Sequence, residues 1–214
     1  MELYTYFRSS AAFRVRIALN LKGLPYTPQF IHLLNHGGEQ HSVAYKQLNP
    51  AELVPTLIDG NRILTQSLAI CEYLEETHPE IPLLPSSPLD RAWVRAIALG
   101  IACDIHPINN LRVLQYLSNE LAVTDDAKTG WAQHWIKLGF AALENQLAGD
   151  ARTGLCCLGN TPTLADVCLI PQVFNAQRFQ VDMDAYPTLQ RIATHCQSLP
   201  AFSTAAPAQQ PDAA

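Results

Sequence analysis

Hydrophobic positions near the start of the chain fall into a short apolar run followed by a stretch with helical periodicity. Glu2–Tyr6 is a short apolar and aromatic run that predicts a strand. Phe13, Ile17 and Leu21 then recur every four residues, as one face of a helix does, and Gly23 ends that helix. The pattern therefore predicts a strand, a turn and a helix within the first 23 residues.

The rest of the first 78 residues continues this alternation. Residues 26–33 predict a second strand, residues 42–48 a short helix and residues 66–76 a longer helix. Asp59-Gly60-Asn61 lies between two apolar runs and predicts a β-hairpin. The order strand, helix, strand, helix, strand, strand, helix predicts a small mixed α/β sheet covered by helices.

A cluster of prolines between residues 79 and 88 separates this region from a helical one. We place a domain boundary there, with one domain over residues 1–80 and an all-α domain over residues 88–204. Residues 205–214 are rich in Ala, Pro and Gln and are predicted to be a disordered tail.

Helical periodicity dominates the second domain. Residues 89–121 form one long pattern with a break at Pro107, and residues 186–199 form the last helix. Thr163 and Asp166 resemble a capping box at the start of another helix. Residues 127–147 form a second long helix with one predicted core face, which comprises Trp131, Trp135, Leu138 and Ala142.

Composition narrows the functional classes. The 214 residues are 48% hydrophobic and 15% charged, which suits a substantial core, and the formal net charge is -5. A nucleic-acid-binding protein would carry a basic stripe, and no apolar run is long enough to cross a bilayer. We therefore expect no nucleic-acid partner, no membrane partner and a cytoplasmic location.

Six cysteines lack metal-site spacing. The chain contains no Cys-x-x-Cys pair and no grouping of Cys with His at the usual spacing of zinc ligands. Cys71 and Cys168 lie inside apolar helical patterns, where packing is the expected role. The sequence predicts that most of the thiols are buried and that there is no metal centre.

Two hydroxyls stand where the first strand passes into the first helix. Ser9 and Ser10 lie at or beside a helix N-terminus, where unpaired N–H groups and the helix dipole favour an anion. An ordinary N-cap role for one of the two serines is the commoner case, and this stretch taken alone favours it. Nearby Arg8, Arg14 and Arg16 do not decide the matter, because arginines beside an amphipathic helix are usually solvated or in surface ion pairs.

A resemblance that spans nearly the whole chain favours function. Residues 9–19, SSAAFRVRIAL, resemble the SSC-x-x-RVRIAL signature of zeta-class glutathione transferases, which include maleylacetoacetate and maleylpyruvate isomerases. Further matches follow in the same order as in that family: Leu48-Asn49-Pro50, Leu53-Val54-Pro55, Gln66-Ser67, Asp104-Ile105-His106-Pro107-Ile108-Asn109-Asn110 and Arg178-Phe179-Gln180-Val181-Asp182. The resemblance implies a thioredoxin-like first domain followed by an all-α domain, and a homodimer.

The same resemblance implies a glutathione site. Val54 would offer its backbone to the cysteinyl part, with Pro55 as the cis-proline, and Gln66 with Ser67 would bind the γ-glutamyl end. Gln40 would approach the glycyl end, with His41 as an equally plausible neighbour. His106 would reach glutathione from the helical domain, although a local capping role for this histidine is nearly as plausible.

One departure from the family changes the chemistry. Ala11 stands where many members carry cysteine, so the working sulfur must belong to glutathione itself. Ser9 or Ser10 would then donate a hydrogen bond to the thiolate and lower the pKa of that thiol. The sequence leaves the choice between the two serines open.

The implied reaction is the cis–trans isomerisation of a small dicarboxylate by reversible thiolate addition. Arg8 and Arg178 are the candidates for binding the substrate carboxylates, with Arg112 and Asn110 as further candidates. Without the resemblance, Arg8 would be a solvated loop residue and Arg178 a cation at a helix C-terminus.

Three substrates are compatible with the resemblance. Leu111 follows Asn109-Asn110 where a maleylpyruvate isomerase of this family has arginine, which favours maleylacetoacetate. Maleylpyruvate isomerisation and transfer of glutathione to α-halo acids are the alternatives. A non-catalytic glutathione-binding protein would be expected to lose the two serines, Gln66-Ser67 or Arg178, and this chain keeps all of them.

Overall fold

The computed structural model describes residues 1–213 and divides the chain into two compact units. The first unit comprises Met1–Leu83 together with the segment from Ser198 onward, and the second comprises Leu84–Gln197. The boundary near residue 83 lies within the proline-rich stretch, but the C-terminal segment groups with the first unit rather than with the helical one.

The first unit contains a four-stranded mixed sheet, which confirms the predicted fold class. Its strands are β1 (Glu2–Thr5), β2 (Thr27–Phe30), β3 (Thr56–Asp59) and β4 (Arg62–Thr65). The spatial order is β2-β1-β3-β4, with β1 parallel to β2 and antiparallel to β3, and β3 antiparallel to β4. Gly60, with φ of 60°, supplies the left-handed conformation that the β3–β4 hairpin turn requires.

Three helices accompany this sheet: α1 (Ser10–Leu21), α2 (Val43–Leu48) and α3 (Ser67–Thr77). The apolar residues Val15, Ile17 and Leu19 of α1 are fully buried, because both faces of this helix are covered. At its C-terminus, Lys22 forms a buried ion pair with Glu75 of α3 at 2.9 Å. Helices α1 and α3 are therefore joined by polar as well as apolar contacts.

The second unit is all-helical. Its helices are α4 (Pro88–Leu99), α5 (Leu111–Asn119), α6 (Asp125–Ala148), α7 (Leu164–Arg178) and α8 (Pro187–Ser198). The break predicted at Pro107 is a π-helical turn at Gly100–Ile105 followed by a 3-10 turn at Pro107–Asn109. The capping box of Thr163 and Asp166 is present at the start of α7. Of the helices within residues 1–213, none is both long enough and apolar enough to cross a membrane.

The predicted core face of α6 is wrong. Leu138 is 58% exposed and Ala142 is exposed, while the two tryptophans are only half-buried. The buried face comprises Ala132, Ile136, Phe140, Leu143 and Leu147. Apolar residues occur on more than one side of this helix, so periodicity alone indicates the helix but not the face that packs.

The C-terminal segment differs from the predicted disordered tail. A short helix α9 (Pro200–Ser203) leads into 3-10 turns at Pro207–Gln209 and Pro211–Ala213. The Asn20 side chain of α1 donates to the Ala201 carbonyl at 3.0 Å, and Ala205 is 1% exposed. Partners about 180 residues away in sequence hold this segment, so its own composition did not reveal its order.

Candidate active site

The loop between β1 and α1 carries the first group of predicted site residues. Ser9 is the N-cap of α1, and its hydroxyl oxygen accepts a hydrogen bond from the Ala12 N–H at 3.2 Å. Ser10 is the first helical residue and is buried, whereas Arg8 is exposed with its guanidinium 4.9 Å from the Phe7 ring centroid. Ser9 thus has the ordinary capping role, and its O–H remains able to donate to a ligand.

One polar contact joins the N-terminus of α3 to α1. Arg14 Nη1 of α1 donates to the Ser67 hydroxyl oxygen at 3.2 Å, and both side chains are buried. Gln66 precedes the helix with φ of 69°, a left-handed conformation that costs free energy in a non-glycine residue and is common at ligand-binding sites. Ser67 therefore has a fixed hydroxyl at a helix N-terminus, where the dipole favours a carboxylate.

A third part of the site precedes β3. The Val54–Pro55 peptide bond is cis, as the resemblance implied. The Leu53 carbonyl accepts from the Tyr45 hydroxyl at 2.6 Å and from Asn49 Nδ2 at 2.7 Å, which anchors the segment leading to Val54. Within residues 1–213, neither the N–H nor the C=O of Val54 has a backbone partner, so this peptide edge can pair with an extended ligand.

Gln40 and His41 lie in a 3-10 turn, Glu39–His41, beside that segment. His41 Nδ1 forms a short hydrogen bond with Glu52 Oε2, and the bond lowers the pKa of the Glu52 carboxyl. His41 Nε2 lies 3.1 Å from Gln40 Nε2, and Gln40 is buried. Glu52 orients the His41 ring, and the ring in turn contacts the Gln40 amide.

Packing brings these segments of the first unit together. Tyr6, Tyr45 and Val54 form a buried cluster against which Phe7 and Leu33 also pack. Tyr6 and Phe7 directly precede the Arg8–Ser10 loop, and Val54 carries the cis bond. The serine loop and the Val54 segment therefore share one small core.

Four predicted residues lie in the second unit. His106 is half-buried between the π-helical and 3-10 turns, and Asn110 is the N-cap of α5, its Oδ1 accepting from the Arg112 N–H at 3.3 Å. Arg112 is exposed on the first turn of α5. Arg178 is exposed on the last turn of α7, with its guanidinium 4.9 Å from the Phe179 ring centroid. Asn110 thus has a capping role, and Arg178 has the position of a cation complementing a helix dipole.

Two arginines of α1 are buried, contrary to the prediction from the sequence. Arg14 and Arg16, expected to be solvated or in surface pairs, are 2% and 0% exposed. Residues two positions apart project from nearly opposite sides of an α-helix, so Arg14 and Arg16 cannot both lie on one exposed face. This spacing in an otherwise apolar helix was the available signal in the sequence. Glu52, which orients His41, was also missed, and its positive φ of 57° had no sequence signal such as glycine.

A buried group of thiols and one carboxylate lies in the second unit. Cys156, Asp166 and Cys196 place their ligand atoms within 4.8 Å of one another, which is within reach of a metal ion. Both Asp166 oxygens already accept capping bonds, from the Cys157 N–H at 2.8 Å and from the Thr163 N–H at 2.8 Å. Burial raises the pKa of the Cys157 thiol and of the Asp166 carboxyl. The hydrogen bonds to both Asp166 oxygens fit a structural role at the start of α7.

The first-unit residues fit an anionic peptide thiol. Two helix N-termini, an unpaired peptide edge at Val54 and the serine hydroxyls supply donors for carboxylates and for sulfur. Arg14 Nε and Nη2 and Gln40 Oε1 are buried and have no hydrogen-bond partner among residues 1–213. Buried polar atoms of this kind are rare without a ligand or water. They belong to side chains that contact Ser67 and His41.

Comparisons with known proteins agree with this geometry. Residues 3–82 match the family described as glutathione S-transferase, N-terminal domain. A probable maleylacetoacetate isomerase from Vibrio cholerae is 56% identical over 211 residues, covering 99% of this chain and 97% of the relative. The chain belongs to the glutathione S-transferase family.

Solved structures similar to this chain indicate which class of the family it belongs to. The holo structure of a maleyl pyruvate isomerase, a bacterial glutathione S-transferase in the zeta class, has a TM-score of 0.97 and 48% identity, covering 100% of each chain. A maleylacetoacetate isomerase from Methylobacterium extorquens AM1, with bound malonate and GSH, has a TM-score of 0.96 and 40% identity, again covering 100% of each chain. The glutathione transferase signature identified in the sequence is therefore confirmed as zeta-class.

Proposed function

We propose that this glutathione transferase isomerises maleylacetoacetate to fumarylacetoacetate with glutathione as cofactor. The observation that carries the proposal is the set of polar groups formed by Ser10 and Ser67 at two helix N-termini and the Val54 peptide edge without a backbone partner, in a chain 56% identical to a probable maleylacetoacetate isomerase. Glutathione itself is supported by the relative solved with malonate and GSH.

The glutathione-binding residues divide by the part of the tripeptide that each would hold. Val54 would pair its backbone with the cysteinyl part beside Pro55, and Gln66 with Ser67 would bind the γ-glutamyl carboxylate. Gln40 and His41 would contact the glycyl end, and His106 is the candidate from the second unit. Ser67 suits its role because Arg14 donates to its oxygen, which leaves the hydroxyl hydrogen free to donate.

Bound glutathione would supply a thiolate that adds to the conjugated cis double bond and leaves after the new single bond has rotated. Ser9 or Ser10 would donate to the sulfur, and the α1 N-terminus favours the ionised thiol there. Both serines remain candidates, since Ser9 already accepts the capping bond while Ser10 is buried at the first helical position.

The substrate carboxylates need cations that hold them while the central bond turns. We assign this work to Arg8 and Arg178, whose planar guanidinium groups bind carboxylates in bidentate fashion, with Arg112 and Asn110 in support. Both arginines are exposed, and the guanidinium of each lies 4.9 Å from the ring centroid of a neighbouring phenylalanine, which helps to orient it.

Maleylpyruvate is the second candidate substrate. The observation favouring it is the maleyl pyruvate isomerase structure with 48% identity over the full chain. Transfer of glutathione to α-halo acids is a further alternative, because it uses the same thiolate.

Assembly and location are part of the same proposal. We propose a homodimer in the cytoplasm, as the resemblance to the zeta class implies. Large apolar side chains that are exposed on the second unit, including Leu99 at 46% and Tyr116 at 58%, support self-association. Light scattering of the purified protein measures the oligomeric state directly.

The deciding experiment follows loss of each cis substrate spectroscopically, with and without glutathione, for the wild type, Arg178→Ala and the control Arg191→Ala. Arg191 is also exposed on a helix of the second unit, but it donates to the Gly154 carbonyl. We expect Arg178→Ala to lower kcat/KM by about 10- to 100-fold, the effect of losing a charged hydrogen-bonded pair. The control should keep the wild-type value.

Turnover that requires glutathione but leaves its concentration unchanged would support the isomerase, and the faster substrate would identify the reaction. Absence of turnover with both substrates, together with conjugation of α-halo acids, would overturn the proposal.

A further inference from the structure

The C-terminal segment contacts the first unit through a buried arginine of α1. Arg16 Nε donates to the Ala205 carbonyl at 3.0 Å across 189 residues of sequence. The same guanidinium donates through Nη1 to the Thr5 hydroxyl at 3.0 Å and through Nη2 to the Phe7 carbonyl at 3.0 Å. Arg16 therefore links the C-terminal segment to the end of β1 and the loop that follows it.

Asp212 makes a second and more direct contact with this loop. Its Oδ2 accepts a hydrogen bond from the Phe7 N–H at 2.9 Å, across 205 residues of sequence. Its Oδ1 is buried and has no hydrogen-bond partner among residues 1–213. The carboxylate is thus committed to one backbone donor.

These contacts hold both sides of the residue that precedes Arg8. The Phe7 N–H is bound by Asp212 and the Phe7 C=O by Arg16. The Tyr6 carbonyl accepts from Arg16 Nη1 at 3.3 Å and from the Ser9 N–H at 3.0 Å. Little rotational freedom remains in the backbone that leads into the two serines.

We propose that Asp212 is a positioning residue. By accepting a hydrogen bond from the Phe7 N–H, its carboxylate lets the C-terminal segment set the conformation of the Arg8–Ser10 loop. The inference rests on the proposed function, since the loop matters for catalysis only if a serine there donates to the glutathione sulfur. A hydroxyl displaced by an ångström would donate poorly, and catalytic groups lose much of their effect at such displacements.

The charges in this region agree with the assignment. Burial lowers the pKa of Arg16 to about 10, while Tyr26 and Asp212 act in the opposite direction. Asp212 is thereby also a counter-charge for the buried guanidinium. One carboxylate from the end of the chain contributes both to the geometry of the loop and to the electrostatic balance beneath it.

The test compares Asp212→Ala, Asp212→Asn and the control Asp184→Asn, an exposed aspartate of the second unit. Amide hydrogen exchange is measured first, without glutathione or substrate. We expect Asp212→Ala to speed exchange in the peptide covering residues 6–10 by about tenfold, because its charged acceptor is gone. Asp212→Asn keeps an acceptor oxygen and should lie between Asp212→Ala and the wild type.

The second readout is the pKa of the thiol of bound glutathione, followed by the ultraviolet absorbance of the thiolate. We expect this pKa to rise in Asp212→Ala, to rise less in Asp212→Asn and to stay unchanged in the control. Isomerase kcat should fall in the same order with a smaller change in KM.

Three outcomes would overturn the inference. They are unchanged exchange at residues 6–10, exchange that rises equally in β3 and β4, and a thiol pKa that does not follow the exchange. Failure of the proposed function is distinguishable, because the exchange measurement requires no ligand and the thiol pKa requires no turnover.

Discussion

The surroundings of Arg14 and Arg16 differ, although these residues lie two positions apart on α1 and are almost equally buried. Arg16 donates to four acceptors, the Thr5 hydroxyl and the carbonyls of Tyr6, Phe7 and Ala205. Arg14 donates to the Ser67 hydroxyl alone, and its Nε and Nη2 have no partner among residues 1–213.

The comparison indicates that a buried charge can either stabilise the fold or take part in ligand binding. Burying a guanidinium is costly unless its donors are satisfied, and Arg16 is satisfied by protein groups. Arg14 is left with unmet donors beside the hydroxyl that we assign to a ligand carboxylate. We interpret Arg16 as part of the frame of the first unit and Arg14 as part of the binding site.

The largest expected effect is the loss of stability in Arg16→Met. The change removes one donor from each of four acceptors, although the Tyr6 carbonyl keeps the Ser9 N–H, and it relieves the cost of the buried charge only in part. We expect the free energy of unfolding to fall by about 2–4 kcal/mol. Chemical denaturation measures this value.

Arg14→Met is the matched control, with the same substitution on the same helix at the same burial. We expect its free energy of unfolding to stay within about 1 kcal/mol of the wild type, because a flexible apolar side chain replaces a poorly satisfied buried charge. Equal losses in the two variants would show that the number of satisfied donors does not distinguish these sites.

The main effect of Arg14→Met should be on the affinity for glutathione. Without the guanidinium, the Ser67 hydroxyl is less well oriented and less polarised, so glutathione should bind about 3- to 10-fold more weakly. Titration calorimetry with glutathione measures the Kd. An unchanged Kd would remove Arg14 from the binding site.

The smallest effect is a pH dependence specific to Arg16. Burial lowers the pKa of Arg16 from its higher ordinary value to about 10 in the folded protein, so above about pH 10 the unfolded chain binds more protons than the folded one. The contribution of Arg16 to stability should therefore rise as pH increases through about 10, by less than about 1.4 kcal/mol per pH unit.

The difference in unfolding free energy between the wild type and Arg16→Met is measured from about pH 8.5 to about pH 10.5. It reports Arg16 together with its coupling to Tyr26, because titrating residues that do not interact with Arg16 cancel. A difference that falls with pH would contradict the assigned direction.

Much of the fold was determined by local sequence. The apolar period of α1, the Asp59-Gly60-Asn61 turn and the capping box of Thr163 and Asp166 each specify their element through neighbours in the chain. The ordered zeta-class motifs likewise indicated the two domains and the family. Apolar periodicity and helix capping depend on residues that are close together in the chain, so they can be recognised in the sequence alone.

Parts of the candidate site were also accessible from the sequence. Ser9 and Ser67 at helix starts and the cis bond before Pro55 were expected, and the structure has each of them. The roles assigned to Arg8, Arg112, Arg178 and His106 stay predictions, because each depends on a ligand rather than on local geometry.

Only the tertiary structure decided which charges and which faces are buried. Arg14 and Arg16 lie in the same apolar stretch of the sequence, yet they differ in their hydrogen-bond partners. Arg14 donates to Ser67 of α3, and Arg16 donates to Ala205 of the C-terminal segment. The core face of α6 was misassigned for a related reason, since it depends on what packs against the helix. The acceptors for a buried donor can lie about 200 residues away, as Asp212 does from Phe7, and no local pattern encodes that pairing.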